Sequence, residues 1–309
     1  MALANPFIVS NSIIFFIPKV VCGALVNISS IIFLFTLLDI KISSLLMVKN
    51  IATGTKQLLL TEDNDVLTIT LNNPQYKNAL SEELTPYLRK ILNKISKENK
   101  YKMLIIEGKG DSFCSGGNIK KMDTNKNNVI QNNKQKIDDL YKKQIELTHT
   151  MSSLEIPTIA VITGPAAGAG FSLALSCDIR IGNENAFFLS NYSKIGLSGD
   201  YGISWYLTNL LGSSKAKEIM FFNNRIYSDE AYQIGILNFL FKTNFKRNLK
   251  KIKKDLQSQS SYALRLIKKN IKFAQINNLK NTLKLEAKHL IMSSKSKEHI
   301  LAIKKFKKK

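Results

Sequence analysis

Two glycine-rich turns constrain this chain more than any other feature. Phe113-Cys114-Ser115-Gly116-Gly117-Asn118-Ile119 and Gly164-Pro165-Ala166-Ala167-Gly168-Ala169-Gly170 lie about fifty residues apart, each between a strand-like run and a helix-like one. A lone glycine turn is structural more often than catalytic, but the module strand, glycine turn, helix start occurs here twice. Small residues let a bound group approach the backbone closely. The first turn of a helix adds unpaired N–H groups and a dipole that favours negative charge. The pair reads as an oxyanion hole, two main-chain donors aimed at one developing charge, with Ala169 at the first turn of a helix. A third element, Gly196-Leu197-Ser198-Gly199-Asp200-Tyr201-Gly202, supplies one carboxylate and no obvious second one.

The elements around these turns follow from periodicity. Residues 57–60 and 66–72 read as strands joined by an Asn64-Asp65 turn, with Thr68 and Thr70 alternating with Leu67, Ile69 and Leu71. Ser81 is a candidate N-cap for a helix carrying Leu84, Leu88, Leu92 and Ile95 at helical spacing. Residues 103–106 form the strand that delivers the first glycine turn, and 125–134 read as a mobile loop. A helix over 137–151, a β-branched strand over 158–162 and a small apolar helix over 166–175 come next. Further strands fall at 177–181 and 186–189, and helices at 201–211, 214–222 and 228–235. Residues 248–304 are lysine-rich helices with Leu264, Ile267 and Ile271, then Leu283, Ala287 and Leu290, at helical spacing. This is an α/β core over 47–245 followed by a helical region over 246–309.

Residues 1–46 differ in kind. They hold only Lys19, Asp39 and Lys41 as charged side chains, whereas the whole chain holds 45 Lys and Arg and 23 Asp and Glu. The uncharged run 20–38 meets the length of a membrane helix, although Asn27, Ser29, Ser30 and Thr36 dilute it. Lys19 alone precedes it, with no basic cluster, and no clear cleavage site follows, which is unlike a secretory signal. Two readings stand: a membrane anchor, or AT-rich upstream sequence translated in frame with Met47 the true start. The second implies a cytoplasmic protein and the first a membrane-associated one.

Composition excludes several function classes. Cys22, Cys114 and Cys177 are too few and too scattered for a disulfide framework or a zinc site, so a reducing compartment and no metal are expected. The three histidines, His149, His289 and His299, all fall in helix-like segments, which leaves little for a histidine triad. A formal charge of +22 invites a nucleic-acid partner, but the lysines are dispersed and no aromatic-interleaved basic stripe accompanies them. Excess positive charge does help to steer a polyanion toward the protein.

Here the residues reach a family. Leu71-Asn72-Asn73-Pro74, Asn78-Ala79-Leu80-Ser81, Glu107-Gly108-Lys109-Gly110, the first glycine turn with Lys120-Lys121-Met122, Ile156-Pro157-Thr158-Ile159-Ala160 and Cys177-Asp178-Ile179-Arg180-Ile181 resemble the crotonase (enoyl-CoA hydratase/isomerase) superfamily. The resemblance runs from about residue 58 to 305. It implies a spiral of ββα units, a C-terminal helical region used in homotrimers or dimers of trimers, and an acyl-CoA thioester as the bound partner. No separate cofactor is implied, because coenzyme A is part of the substrate. It further implies that the Gly117 and Ala169 amides form the oxyanion hole, that Gln75, Lys77, Ser115, Asn118 and Ile119 line the CoA path, and that Gly168, Tyr192 and Trp205 border the substrate. Asn118 stands where aspartate is commoner. Trp205 and Tyr206 also read as ordinary core aromatics.

Hydratases of the family carry two glutamates, and the matching places here hold Ser172 and Tyr192. Neither side chain replaces a carboxylate that must polarise water. Asp200 matches the acid of several family isomerases, and one carboxylate suffices for a proton shift. Ile195, Leu197, Ile203 and Trp205 are expected to make its surroundings apolar and raise its pKa. Without the family register, Asp200 reads as a solvated turn residue. The resemblance therefore implies a single-carboxylate enoyl-CoA isomerase, with an atypical hydratase and a non-catalytic CoA-thioester binder as alternatives.

Overall fold

The computed structural model describes residues 48–117 and 133–307. The readings made above for residues 1–46, for Asn118 and Ile119, and for most of the 125–134 loop lie outside the described residues. Among the described residues, no helix is long and apolar enough to cross a membrane.

A seven-stranded sheet runs in the order β1-β2-β3-β4-β5-β7-β10. Strand β1 (Lys49–Ile51) pairs antiparallel with β2 (Leu58–Asp63), which forms a hairpin with β3 (Val66–Leu71). Asn64 and Asp65 close the hairpin with φ of 50° and 65°, the backbone that a two-residue turn between twisted strands demands. From β3 onward the pairing is parallel, through β4 (Met103–Gly108), β5 (Thr158–Ile162), β7 (Ile179–Gly182) and β10 (Phe239–Leu240). Both faces of this parallel part are covered, which is why β5 reads as a continuous apolar run rather than an alternation.

Helix α1 (Leu84–Ser96) buries Leu84, Leu88, Ile91, Leu92 and Ile95 against one face. The Ser81 hydroxyl accepts the Leu84 N–H at 2.9 Å, as the capping signal requires. The chain then forms α2 (Asn133–Gln144), a π-helical turn (Ile145–His149) and the short α3 (Thr150–Ser153). On the opposite face, Val66, Met103, Ile105, Ile159, Val161 and Ile181 pack beneath Phe245, Leu249, Ile252 and Leu256 of α7 (Phe245–Gln257).

One expected element is divided. Residues 166–175 are not a single helix: β6 (Pro165–Ala167) ends at Gly168, whose φ of 51° breaks the chain direction, and α4 (Ala169–Leu175) starts after it. Tertiary pairing overrides helix propensity here, because β6 is held between Cys114 and β8 (Phe187–Leu189). Strand β9 (Ile226–Tyr227) completes this second, three-stranded sheet. The two helices expected over 201–222 form α5 (Ile203–Phe222), kinked at Gly212, where φ is 79° and ψ 161°. Helix α6 (Ser228–Gln233) follows.

The C-terminal helices are α7, α8 (Ser261–Ala274), α9 (Leu279–Ser294) and α10 (Lys297–Phe306). Polar contacts dock α8 at the entry ends of the central strands. Arg265 donates to the carbonyls of Asn99 and Tyr101, just before β4, and Lys268 donates to Ile156 O, just before β5. Lys268 also reaches Asp178 at 2.6 Å, whose Oδ2 accepts the Thr158 N–H and hydroxyl. The Cys177-Asp178-Ile179-Arg180 run is thus structural, with the buried Arg180 guanidinium donating to Cys177 O and Ile236 O. Both glycine turns leave the other ends of β4 and β5.

Candidate functional site

The two glycine turns lie backbone against backbone. Phe113 and Cys114 both donate their N–H to Pro165 O at 3.1 Å, and Ala167 N–H returns a bond to Cys114 O at 2.9 Å. A β-carbon on Gly116 would stand 2.6 Å from Ala167 O and 3.1 Å from Ala169 N, so the segment before Gly117 touches the segment before Ala169. Among the described residues, neither the Gly117 nor the Ala169 amide has an acceptor. Ala169 is the first residue of α4, where an unpaired donor is the rule.

The first turn rests on residues 73–80. Leu80 N–H bonds Gly116 O at 2.8 Å and Ser115 N–H bonds Lys77 O at 3.0 Å. Asn78, fully buried, donates to Lys109 O and Ser112 O and accepts the Asn73 N–H. It fixes three segments at once, a role that the sequence did not suggest beyond its place in a turn. Gln75 and Lys77 stand exposed beside it, and the half-buried Ser115 points its hydroxyl toward Tyr76 O.

Asp200 sits in a tightly specified loop. Gly199, Tyr201 and Gly202 all have positive φ, at 109°, 51° and 82°, and the non-glycine Tyr201 holds that conformation because its N–H is bonded by Gln144 Oε1 at 3.1 Å. Gln144 is the last residue before the π-helical turn, whose Thr148 carbonyl accepts the Tyr206 hydroxyl at 3.0 Å. A π turn leaves carbonyls unpaired and re-aims the side chains around it. Reading 137–151 as a regular helix concealed both contacts. Ser172, inside α4, donates its hydroxyl to Asp200 O at 3.1 Å. The buried Tyr192 donates its phenol to Asp200 Oδ1 at 2.6 Å, and a β-carbon on Gly168 would lie 3.9 Å from that phenol oxygen. Asp200 is thereby tied to α4 through Ser172, three residues beyond Ala169, and to the neighbourhood of Gly168 through Tyr192.

Burial pushes the Asp200 carboxyl above the usual aspartate range, and the Tyr192 hydrogen bond opposes the rise only in part. Burial, and next the Asp200 charge, push the Tyr192 phenol well above its ordinary value, so it remains a proton donor. The expected direction at Asp200 holds, but the expected surroundings do not. Ile195 and Leu197 are exposed, at 41% and 46%, and of the apolar residues named only Ile203 is buried. The contacts around Asp200 come instead from Tyr192 and from Ser172 of α4. Trp205 is half exposed and lines a different cleft of about 670 Å³, together with Pro157, Cys177, Lys268 and Lys272. None of Gly117, Gly168, Ala169, Tyr192 or Asp200 lines that cleft.

A family model described as Enoyl-CoA hydratase/isomerase matches residues 61–309. The chain belongs to this family. Within the enoyl-CoA hydratase/isomerase family, it is 26% identical to the 1,2-epoxyphenylacetyl-CoA isomerase of Escherichia coli K12, across 77% of this chain and 90% of that one. It is 30% identical to the short-chain-enoyl-CoA hydratase of Clostridium acetobutylicum, across 69% and 80%. A solved structure of an enoyl-CoA hydratase homologue from Thermobifida fusca YX, in complex with acetoacetyl-CoA, superposes with a TM-score of 0.70 at 25% identity, covering 78% of this chain and 96% of that one. The crotonase-like α/β fold expected from the sequence is therefore the fold of this enzyme family member.

Proposed function

We propose that this enzyme is an enoyl-CoA isomerase that moves a double bond by proton transfer through Asp200. One observation carries the reading: the half-buried Asp200 is tied to α4 beside unpaired Gly117 and Ala169 amides, while the two hydratase glutamate positions hold hydroxyl side chains. Asp200 removes a proton from C2 of a 3-enoyl thioester. The electron pair of that C–H bond delocalises onto the thioester oxygen, and the resulting enolate is held by the Gly117 and Ala169 N–H groups. The enolate collapses with the double bond between C2 and C3, and Asp200 returns the proton to C4. Each such preorganised donor lowers the barrier by about 3 kcal/mol. No cofactor is needed beyond the coenzyme A that the substrate carries. Gln75, Lys77, Ser115, Asn118 and Ile119 are proposed to border the CoA path, and Gly168 the thioester.

The test is a panel of acyl-CoA substrates assayed in deuterated water for exchange at C2 and for product. Exchange and conversion of 3-enoyl-CoA to 2-enoyl-CoA are expected. Hydration of 2-enoyl-CoA without isomerisation would establish the atypical hydratase instead, and binding without exchange a non-catalytic family member. The base works deprotonated and its pKa is raised, so activity is lost as pH falls through a midpoint above the ordinary aspartate value. A pH–rate profile flat down to the ordinary carboxylate range would remove Asp200 as the base.

The homotrimer is proposed on the same family register, with the C-terminal helices as its contact. Ile267, Ile271, Ile276, Leu279, Leu283 and Leu290 stand exposed on and between α8 and α9, and clustered exposed apolar residues mark contact surfaces. Sedimentation equilibrium is expected to give three or six times the chain mass. A monomer at micromolar concentration would refute this.

A further inference from the structure

The two oxygens of the Asp200 carboxylate are in different situations. Oδ1 accepts the Tyr192 phenol, whereas Oδ2 has no partner among the described residues. Tyr192 is itself immobilised. It is buried, its hydroxyl lies against Gly168, and a β-carbon on Gly199 would come within 4.0 Å of its ring. Ser172 grips the same aspartate from behind, through its carbonyl. Both side chains that replace the hydratase glutamates thus contact Asp200.

We propose that Tyr192 is a positioning residue: its phenol fixes one oxygen of the Asp200 carboxylate so that the other faces the substrate, while Ser172 anchors the Asp200 backbone. This rests on the reading of Asp200 as the acid/base. A carboxylate free to rotate would present either oxygen at varying distance to C2 and C4, and small misplacements of a reacting group are costly. A single fixed oxygen serves both carbons from one place. The division of labour also explains why two hydroxyls suffice where two carboxylates stood, since neither has to accept a proton.

The other groups facing Asp200 are few. Tyr201 follows it in the chain. Through Tyr201 comes Arg89 of α1, which is paired at 3.6 Å with Glu146 of the π-helical turn. Among the described residues, only Tyr192 donates a side-chain hydrogen bond to the carboxylate. A bond to the charged form favours that form, so removing it leaves burial unopposed and raises the titration midpoint of Asp200.

Tyr192→Phe tests the proposal, because it keeps the ring and deletes only the donor. In the full chain, kcat for 3-enoyl-CoA is expected to fall about tenfold to a hundredfold with KM little changed. The Asp200 carboxyl, followed by carbon-13 NMR and assigned by its loss in Asp200→Asn, is expected to titrate at higher pH in the Tyr192→Phe protein. Ser172→Ala is expected to lower kcat and to move that midpoint less than Tyr192→Phe does, since its bond to Asp200 goes to the backbone and its hydroxyl reaches the carboxylate only through the Tyr192 phenol. A Tyr192→Phe titration superimposable on the wild-type curve overturns the proposal, as does an equal shift in Ser172→Ala. The titration needs no turnover. A wild-type protein inert toward 3-enoyl-CoA would sink the isomerase reading, and the titration would still decide the positioning role.

Discussion

Replacing Asp200 by asparagine is expected to lower kcat for 3-enoyl-CoA by about a hundredfold to ten-thousandfold, the range general acid–base groups contribute. The substitution isolates the chemistry. An asparagine amide oxygen still accepts the Tyr192 phenol, and the Ser172 bond goes to the main chain, so the loop conformation has no reason to change. Asparagine accepts no proton at C2 and delivers none to C4, while the Gly117 and Ala169 amides are untouched. Substrate binding, and with it KM, should therefore change little, and the loss should appear in kcat.

Stability supplies an independent check on the same variant. Asp200 has a folded-state pKa above its unfolded one, because burial penalises its charge. Such a group opposes folding once the pH exceeds the unfolded value, and its neutral replacement removes that opposition. The melting temperature of Asp200→Asn at neutral pH should equal or exceed that of the wild type. An inactive variant that melts well below it would indicate a broken loop rather than a missing base, and undiminished turnover would dismiss Asp200 from the mechanism.

What could be read from the sequence divides along a physical line. The hairpin at Asn64-Asp65, the Ser81 cap, the β5 strand and the kink region near Gly212 are local, written in residues a few positions apart. The convergence of the glycine turns was legible only because the same module appears twice. The supports of Asp200 were not legible. Gln144 lies far from Tyr201 in the chain, and the π turn that follows Gln144 obeys no propensity rule. Asn78 serves Lys109 and Ser112 from more than thirty residues away. Apolar neighbours in sequence also misled. Ile195 and Leu197 flank the loop but face water, and the half-buried Asp200 takes its contacts from Tyr192 and Ser172 instead.

The second large effect is expected at Gly170, where propensity and packing oppose each other. Gly170 is the second residue of α4, and alanine at a helix position is ordinarily better than glycine by about 1 kcal/mol. Packing decides otherwise. A β-carbon there would lie 2.2 Å from Cys114 O and 2.8 Å from Cys114 C, contacts with backbone that no rotamer relieves. The Cys114 carbonyl is also bonded to Ala167 N–H, so retreat of the first turn would break the link that joins the two turns. Gly170→Ala should therefore lower stability by about 1–3 kcal/mol, as overpacking does, despite the better helix residue. Catalysis should suffer as well. The strain falls between Cys114 and α4, which carry Gly117 and Ala169 a few residues on, and a displacement near 1 Å at a site of charge development costs about a hundredfold. The fold is expected to survive with kcat reduced by that order, while the Asp200 carboxyl titrates as in the wild type, because Tyr192 and its bond lie on another segment. Wild-type turnover by Gly170→Ala would mean that the spacing of the two amides does not matter to the reaction, and the proposed enolate cradle would have to be abandoned.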